Sequence, residues 1–265
     1  MKTSPVQDSM GRVSYRIDSC YYSSLVEHRS MDLIYMRRHH HFVSKTHVID
    51  AVGPLWLAGF ADLSQGPISV RSPDGILSLR GRYGFFAPTF AILDWTLGPG
   101  LLEWEAVSSS CAPPPPGHDR PFLFEWCGGV PRSYAELCAM LNSVKTKIPI
   151  DQNTCESLLA KKVKAQIDTG FMVDVPVSNG AKELGYDWAY ISREFKKSYG
   201  LSPVKYRNRI RLFCAIRLLS QGRTVTEACF ESGFNSLTQF NVHFKEYLGT
   251  QPTSYSFKKN PSRQS

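Results

Sequence analysis

Residues 231–255, ESGFNSLTQFNVHFKEYLGTQPTSY, set Phe234, Phe240 and Phe244 among Asn235, Thr238, Gln239, Asn241 and Lys245. The phenylalanines read as the core face of a helix. That leaves amides, a hydroxyl and an ammonium, all hydrogen-bonding groups, to touch something else. A second set with possible chemistry is RRHHHF, 37–42. In a strand His39 and His41 share a side and His40 does not. With a distant carboxylate, Glu103 or Glu105, that pair would make a mononuclear metal site. A basic surface turn explains the same residues and is the preferred reading, so no metal, cofactor or catalytic residue is expected. G-x-S-x-G, H-E-x-x-H and a phosphate-binding glycine loop do not occur.

Composition narrows the partner. With 42% hydrophobic and 20% charged residues in 265, the chain suits a soluble globular protein long enough for two domains. Its N-terminus lacks a signal-like apolar run, and AVGPLWLAGFA is too short to span a bilayer. No membrane association is expected. The seven cysteines are scattered without a C-x-x-C, which argues against a zinc site or disulfide framework and for a reducing cytoplasm. Most of them read as small buried hydrophobes. Charge is unevenly placed: residues 160–259 hold 16 Lys/Arg against 8 Asp/Glu, and the remainder holds 15 of each. The whole excess of +8 lies in the last hundred residues, which points that part alone to a polyanion.

The elements that position the polar set are helical. From about 42 to 107, short apolar runs (LWLAGFADL, PISVRS, GILSLR, FAILDWTL) alternate with Gly/Pro turns, as in a small β-sandwich or barrel. SSSCAPPPPG is a surface loop, since consecutive prolines cannot join a ladder or helix, and PFLFEWC returns a strand. Helices are expected at 133–144 and 151–170, the second capped by Asp151 or Asn153, with Lys145 to Gln152 as the interdomain linker. Beyond 170 the chain repeats itself. Ile191, Phe195, Lys196, Gly200, Pro203 and Tyr206 recur 49 residues later as Phe240, Phe244, Lys245, Gly249, Pro252 and Tyr255. Val177, Ala181 and Gly185 recur 48 later as Val225, Cys229 and Gly233. Helix, Gly turn, longer helix and Gly-x-x-Pro make a helix-turn-helix, present twice, at about 175–199 and 224–247. Thr224 with Glu227 and Ser236 with Gln239 read as capping boxes, and Asp187 as the matching cap in the first unit.

These residues carry a resemblance. AKELGYDWAYISREFKKSYGLSPVKYRNRIRLFCAIRLL followed by RTVTEACFESGFNSLTQFNVHFKEYLGTQPTSY is similar to the DNA-binding region of AraC/XylS-type transcription regulators, over roughly 153–257. G-F-x(5)-F-x(3)-F-K-x(4)-G-x-x-P-x-x-Y, from Gly233 to Tyr255, is its most specific part. Cys229 replaces the usual alanine, and Ile191 with Phe195 weakens the first aromatic pair. In such a domain Leu237, Phe240, Phe244 and Leu248 are buried, exposing Thr238, Gln239, Asn241, Val242 and Lys245. The 49-residue displacement assigns Ala189, Tyr190, Ser192, Arg193 and Lys196 to the same places. The early residues of a recognition helix meet base edges in the major groove. Gln239 or Asn241 would pair with adenine and Arg193 with guanine. Lys196 and Lys245 would hold phosphates, joined by Arg207 and Arg211 from the connecting helix, Val204 to Leu219. That helix would place the two reading helices in successive major grooves of one double-stranded promoter.

The expected fold is therefore α+β: a strand-rich, cupin-like barrel or sandwich in 1–150, then an all-α double helix-turn-helix domain in 153–257. The resemblance implies an activator that works with RNA polymerase, its first half sensing a small-molecule effector or forming a homodimer. Trp56, Phe60, Phe86, Phe90 and Trp95 would line an apolar pocket or, more simply, fill a core. The alternatives are a cupin-like metal-dependent enzyme with a DNA-binding tail, and a regulator controlled by a protein partner.

Overall fold

A computed structural model describes residues 6–7, 13–17, 20–28, 33–109, 112–150, 156–173, 176–179, 184–249 and 251–255, with the backbone alone for 6–28 and 38–41. Among these, thirteen strands come first: β1 (Val6–Gln7), β2 (Val13–Ile17), β3 (Cys20–His28), β4 (Ile34–Phe42), β5 (Thr46–Ala51), β6 (Leu57–Asp62), β7 (Ile68–Ser72), β8 (Gly75–Leu79), β9 (Arg82–Ala87), β10 (Ile92–Leu97), β11 (Gly100–Ser108), β12 (Phe122–Glu125) and β13 (Ile148–Pro149). They form a nine-stranded sheet, ordered β1-β2-β3-β4-β11-β6-β9-β12-β13, and a four-stranded sheet, ordered β5-β10-β7-β8. Every pairing is antiparallel.

Period-two alternation sorts the larger sheet's side chains into two cores. Ile34, Met36, Leu57, Ala61, Ala87, Ala106 and Leu123 join a cluster with Val70, Ile92 and Trp95 of the smaller sheet. Tyr35, Ala58, Phe60, Phe86, Val107 and Phe124 face the other way, onto Leu137 and Leu141 of helix α1 (Tyr134–Ser143). Trp56, Phe60 and Phe86 are thus core, each no more than 1% exposed. Trp95 packs edge-on against Phe85, and Phe90 against Phe171.

Three expectations shift. Strands begin well before 42, and β13 takes part of the supposed linker by pairing with β12. Helix α2 (Leu158–Gly170) starts at Ser157, whose hydroxyl accepts the Ala160 N–H at 3.1 Å. Asp151 and Asn153, proposed as its caps, lie outside the described residues.

The remaining helices are α3 (Trp188–Tyr199), α4 (Pro203–Ser220), α5 (Val225–Glu231) and α6 (Leu237–Leu248), then a 3-10 turn at Pro252–Tyr255. Residues 177–179 are also helical. Helices α3 and α6 both run 12 residues and are displaced by 49 at each end, as the repeat requires. Both close on a left-handed glycine, Gly200 at φ 73° and Gly249 at φ 71°. Among the described residues no helix is long and apolar enough to cross a membrane.

Candidate nucleic-acid interface

Each polar face begins at a cap. Asp187 Oδ1 accepts the Ala189 N–H at 2.8 Å and the Tyr190 N–H at 3.3 Å, which fixes the first turn of α3. Ser236 Oγ accepts the Gln239 N–H at 3.3 Å and does the same for α6. The reciprocal bond of a capping box, from the Ser236 N–H to the Gln239 side-chain oxygen, is not formed among the described residues, and that side chain stays exposed. At α5 the full box is present: Thr224 Oγ1 accepts the Glu227 N–H at 3.2 Å, and Glu227 Oε2 accepts the Thr224 N–H at 2.8 Å. The Thr224 N–H, and after it the Thr224 hydroxyl, which donates to Glu227 Oε2 at 2.9 Å, hold the Glu227 carboxyl below its ordinary pKa.

The opposite faces are fastened by matching aromatic stacks. Ile191 and Phe195 of α3 are buried, as are Phe240, Phe244 and Leu248 of α6, while Leu237 is half-buried. Tyr206 lies 5.7 Å from Phe195, and its repeat partner Tyr255 lies 5.5 Å from Phe244. Gly233, at φ 93°, makes the turn between α5 and α6 where its α-carbon abuts the Met172 backbone. A β-carbon there would sit 2.6 Å from the Met172 carbonyl oxygen.

With the phenylalanines inward, Thr238, Gln239, Val242 and Lys245 are exposed on α6 and Asn241 is half-buried. On α3 Ala189, Tyr190, Arg193 and Lys196 are exposed and Ser192 is half-buried. The fold thus brings each set onto one helix face. Tyr190 stacks on Tyr186, an exposed ring that the sequence reading passed over, with centroids 5.7 Å apart and planes at 25°. Its signal was local: residues four apart share a helical face, continued here into the turn before the cap.

Arg211 departs from its expected role. It is only 5% exposed, and its guanidinium donates to the Phe171 carbonyl at 2.6 Å and the Val173 carbonyl at 3.0 Å. The end of α2 leaves those carbonyls without helical partners, and Arg211 satisfies them from below. A side chain so occupied has no reach to a phosphate. Arg207, four residues earlier on α4, is half-buried.

The same helix carries a polar cluster that periodicity does not reveal. Tyr206 donates to Asp168 Oδ1 at 2.6 Å, and Lys164 donates to Asp168 Oδ2 at 2.7 Å. Burial raises the Asp168 pKa despite the lysine, and burial followed by the Asp168 charge raises that of Tyr206.

In the first half, Glu103 accepts from Arg37, at 2.9 Å for Nε, and Glu105 accepts from Tyr35. The register pairs Glu103 with His39, but the His39, His40 and His41 side chains lie outside the described residues. Among the described residues no group of three His, Cys, Asp or Glu could hold a metal. Cys214 and Cys229 are buried as small hydrophobes, whereas Cys127 is exposed. A groove of about 950 Å³ opens between the 126–132 segment and the end of α1.

Residues 181–257 match the family model described as a helix-turn-helix domain. They form an AraC-type helix-turn-helix domain. A 90-residue stretch is 31% identical to the transcriptional regulatory protein HptR of Staphylococcus aureus (strain NCTC 8325 / PS 47), covering 34% of this chain and 36% of that one. The chain thus spans about a third of the length of the curated relatives it matches. Among solved structures, a probable AraC family transcriptional regulator from Rhodopseudomonas palustris CGA009 is 28% identical over 37% of this chain and 94% of its own, with TM-score 0.35. ToxT from Vibrio cholerae covers 90% of this chain and 98% of its own at 10% identity, with TM-score 0.46. Two antiparallel sheets followed by the AraC-type helical region make up the described chain.

Proposed function

We propose that the chain is a sequence-specific DNA-binding transcription regulator, an activator that works in the cytoplasm with RNA polymerase. Its first domain, 1–150, senses a small effector or forms a homodimer, and its second, 153–257, reads a promoter. One observation carries the reading: two copies of one helical scaffold, 49 residues apart, expose unlike polar faces at equivalent places. Ala189, Tyr190, Ser192 and Arg193 meet one half-site, and Thr238, Gln239, Asn241 and Val242 the other. Lys196 and Lys245 are identical between the copies, as suits contacts to a phosphate that is the same everywhere. Arg207 adds a phosphate contact; Arg211 does not. As a helix of 18 residues, α4 is about 27 Å long, commensurate with the roughly 34 Å between successive major grooves.

Enrichment of duplexes from a random-sequence library by the full-length protein tests this. Arg193→Ala and Gln239→Ala should each relax preference at one position, by about 1–3 kcal/mol. Unchanged preference in both would sink the readout assignment. Lys196→Ala and Lys245→Ala should weaken all duplexes evenly and each reduce the salt slope by about one. For the first domain, light scattering reads the oligomeric state, and thermal shifts against metabolites read effector binding.

A further inference from the structure

Strand β5 edges the smaller sheet, bound on one side to β10 and open on the other to the helices. Ile49 sits against Gly200, the residue that closes α3, so closely that a β-carbon on the glycine would overlap Ile49 Cδ1. The next residue, Asp50, accepts a 2.9 Å hydrogen bond at Oδ1 from the Tyr247 hydroxyl, in the last turn of α6. That hydroxyl in turn accepts the Ala51 N–H at 3.4 Å. The Tyr247 ring is gripped from α4, by the Arg209 guanidinium 4.7 Å over its face and by Phe213 at 6.2 Å, nearly edge-on at 73°. Two consecutive residues of one strand therefore touch the C-terminal ends of both reading helices.

We propose that Asp50 and Tyr247 are positioning residues, which fix the second reading helix relative to the first and so set the half-site separation that the protein accepts. This rests on the DNA-reading role proposed above. The contact is a brace and not a cover: it meets the far ends of α3 and α6, while Ala189, Tyr190, Arg193, Thr238, Gln239 and Val242 at their starts stay exposed. Continuity of packing supports it, because one apolar cluster runs from the smaller sheet through α4 to Phe244 and Leu248, with Ile49 and Tyr247 packed against it. Burial, then the Asp50 charge, raises the Tyr247 pKa and keeps the hydroxyl a donor at neutral pH. Helices held in their bound arrangement spend less free energy on ordering when DNA binds.

The test uses full-length wild type, Tyr247→Phe, Asp50→Ala and Asp50→Asn. The probe is a duplex enriched by the wild type, the same duplex with its half-sites moved apart or together by a base pair or two, and one carrying a single half-site. Tyr247→Phe and Asp50→Ala should weaken binding to the original duplex about threefold to tenfold, the worth of the Tyr247–Asp50 hydrogen bond that both remove. Affinity for the respaced and single-site duplexes should hold, so that the preference for one spacing narrows. Asp50→Asn keeps an acceptor oxygen and should keep the preference. Proportional loss on every duplex would overturn the inference, because it would mean a purely structural bond. Tighter binding to every duplex would also overturn it, because the sheet would then be a cover. A wild type that enriches nothing would fail the DNA reading itself, and the brace with it.

Discussion

At the scale of residues, the two faces can be compared place by place. Tyr190 stands where Gln239 does, Ser192 where Asn241 does, and Arg193 where Val242 does, each pair displaced by 49. An exposed valine offers no hydrogen bond; its use at a base edge is contact with the thymine methyl, whereas arginine pairs with guanine. Val242, 49% exposed, is therefore a methyl reader on this proposal. Val242→Arg should move the second half-site toward guanine at that one position, by about 1–3 kcal/mol, and leave the first half-site alone. Sequencing of duplexes selected by the variant checks this, and an unmoved second half-site would remove Val242 from the readout. Most of this face was legible beforehand, since burial of Phe240 and Phe244 dictates what the same helix exposes. Arg211 was not legible. Its spacing from Arg207 suggested a shared outward face, but α4 is packed nearly all round, and the unpaired carbonyls of Phe171 and Val173 took the guanidinium inward.

At the scale of elements, caps and turns do the local work. Thr224, Glu227, Ser236, Asp187 and the paired glycines are short-range signals, so the ends of α3, α5 and α6 could be read from the chain. The two turn glycines nevertheless differ in what surrounds them. Gly185 has φ 73° with open space among the described residues, while Gly233 has φ 93° against the Met172 backbone. Gly185→Ala should cost about 1 kcal/mol, the strain of a left-handed residue. Gly233→Ala adds a clash that backbone cannot easily relieve, and should cost clearly more. Urea unfolding of both variants gives the comparison; equal costs would mean that the end of α2 yields freely to α5. The sheets were less legible. Strand existence followed from alternation between 42 and 126, but β13 is too short and too proline-bound to announce itself, and it pairs only because β12 offers an edge.

At the scale of the whole molecule, the two halves are joined by more than a linker. The apolar cluster that includes Val70, Ile92 and Trp95 continues into Tyr206, Ile210 and Phe244, and Phe90 closes on Phe171 at 6.2 Å. Halves that share a core should unfold together. Calorimetry of the full-length protein should show one transition whose calorimetric and van't Hoff enthalpies agree; two separable transitions would show that the docking adds little stability. Tyr247→Phe should lower that transition without splitting it, because the two hydrogen bonds of its hydroxyl are each worth about 0.5–1.5 kcal/mol.

The sequence by itself determined the duplicated helical unit, its buried aromatics, its capped ends and the unlike polar faces they leave outside. All of these depend on residues a few places apart along one helix or one turn, where geometry follows directly from spacing. Only the tertiary structure decided that Arg211 serves the end of α2, that Trp56, Phe60 and Phe86 are core, and that Asp50 finds Tyr247. Those outcomes join groups 40 to nearly 200 residues apart, and competition for buried hydrogen-bonding partners and apolar neighbours settles them only when distant elements meet.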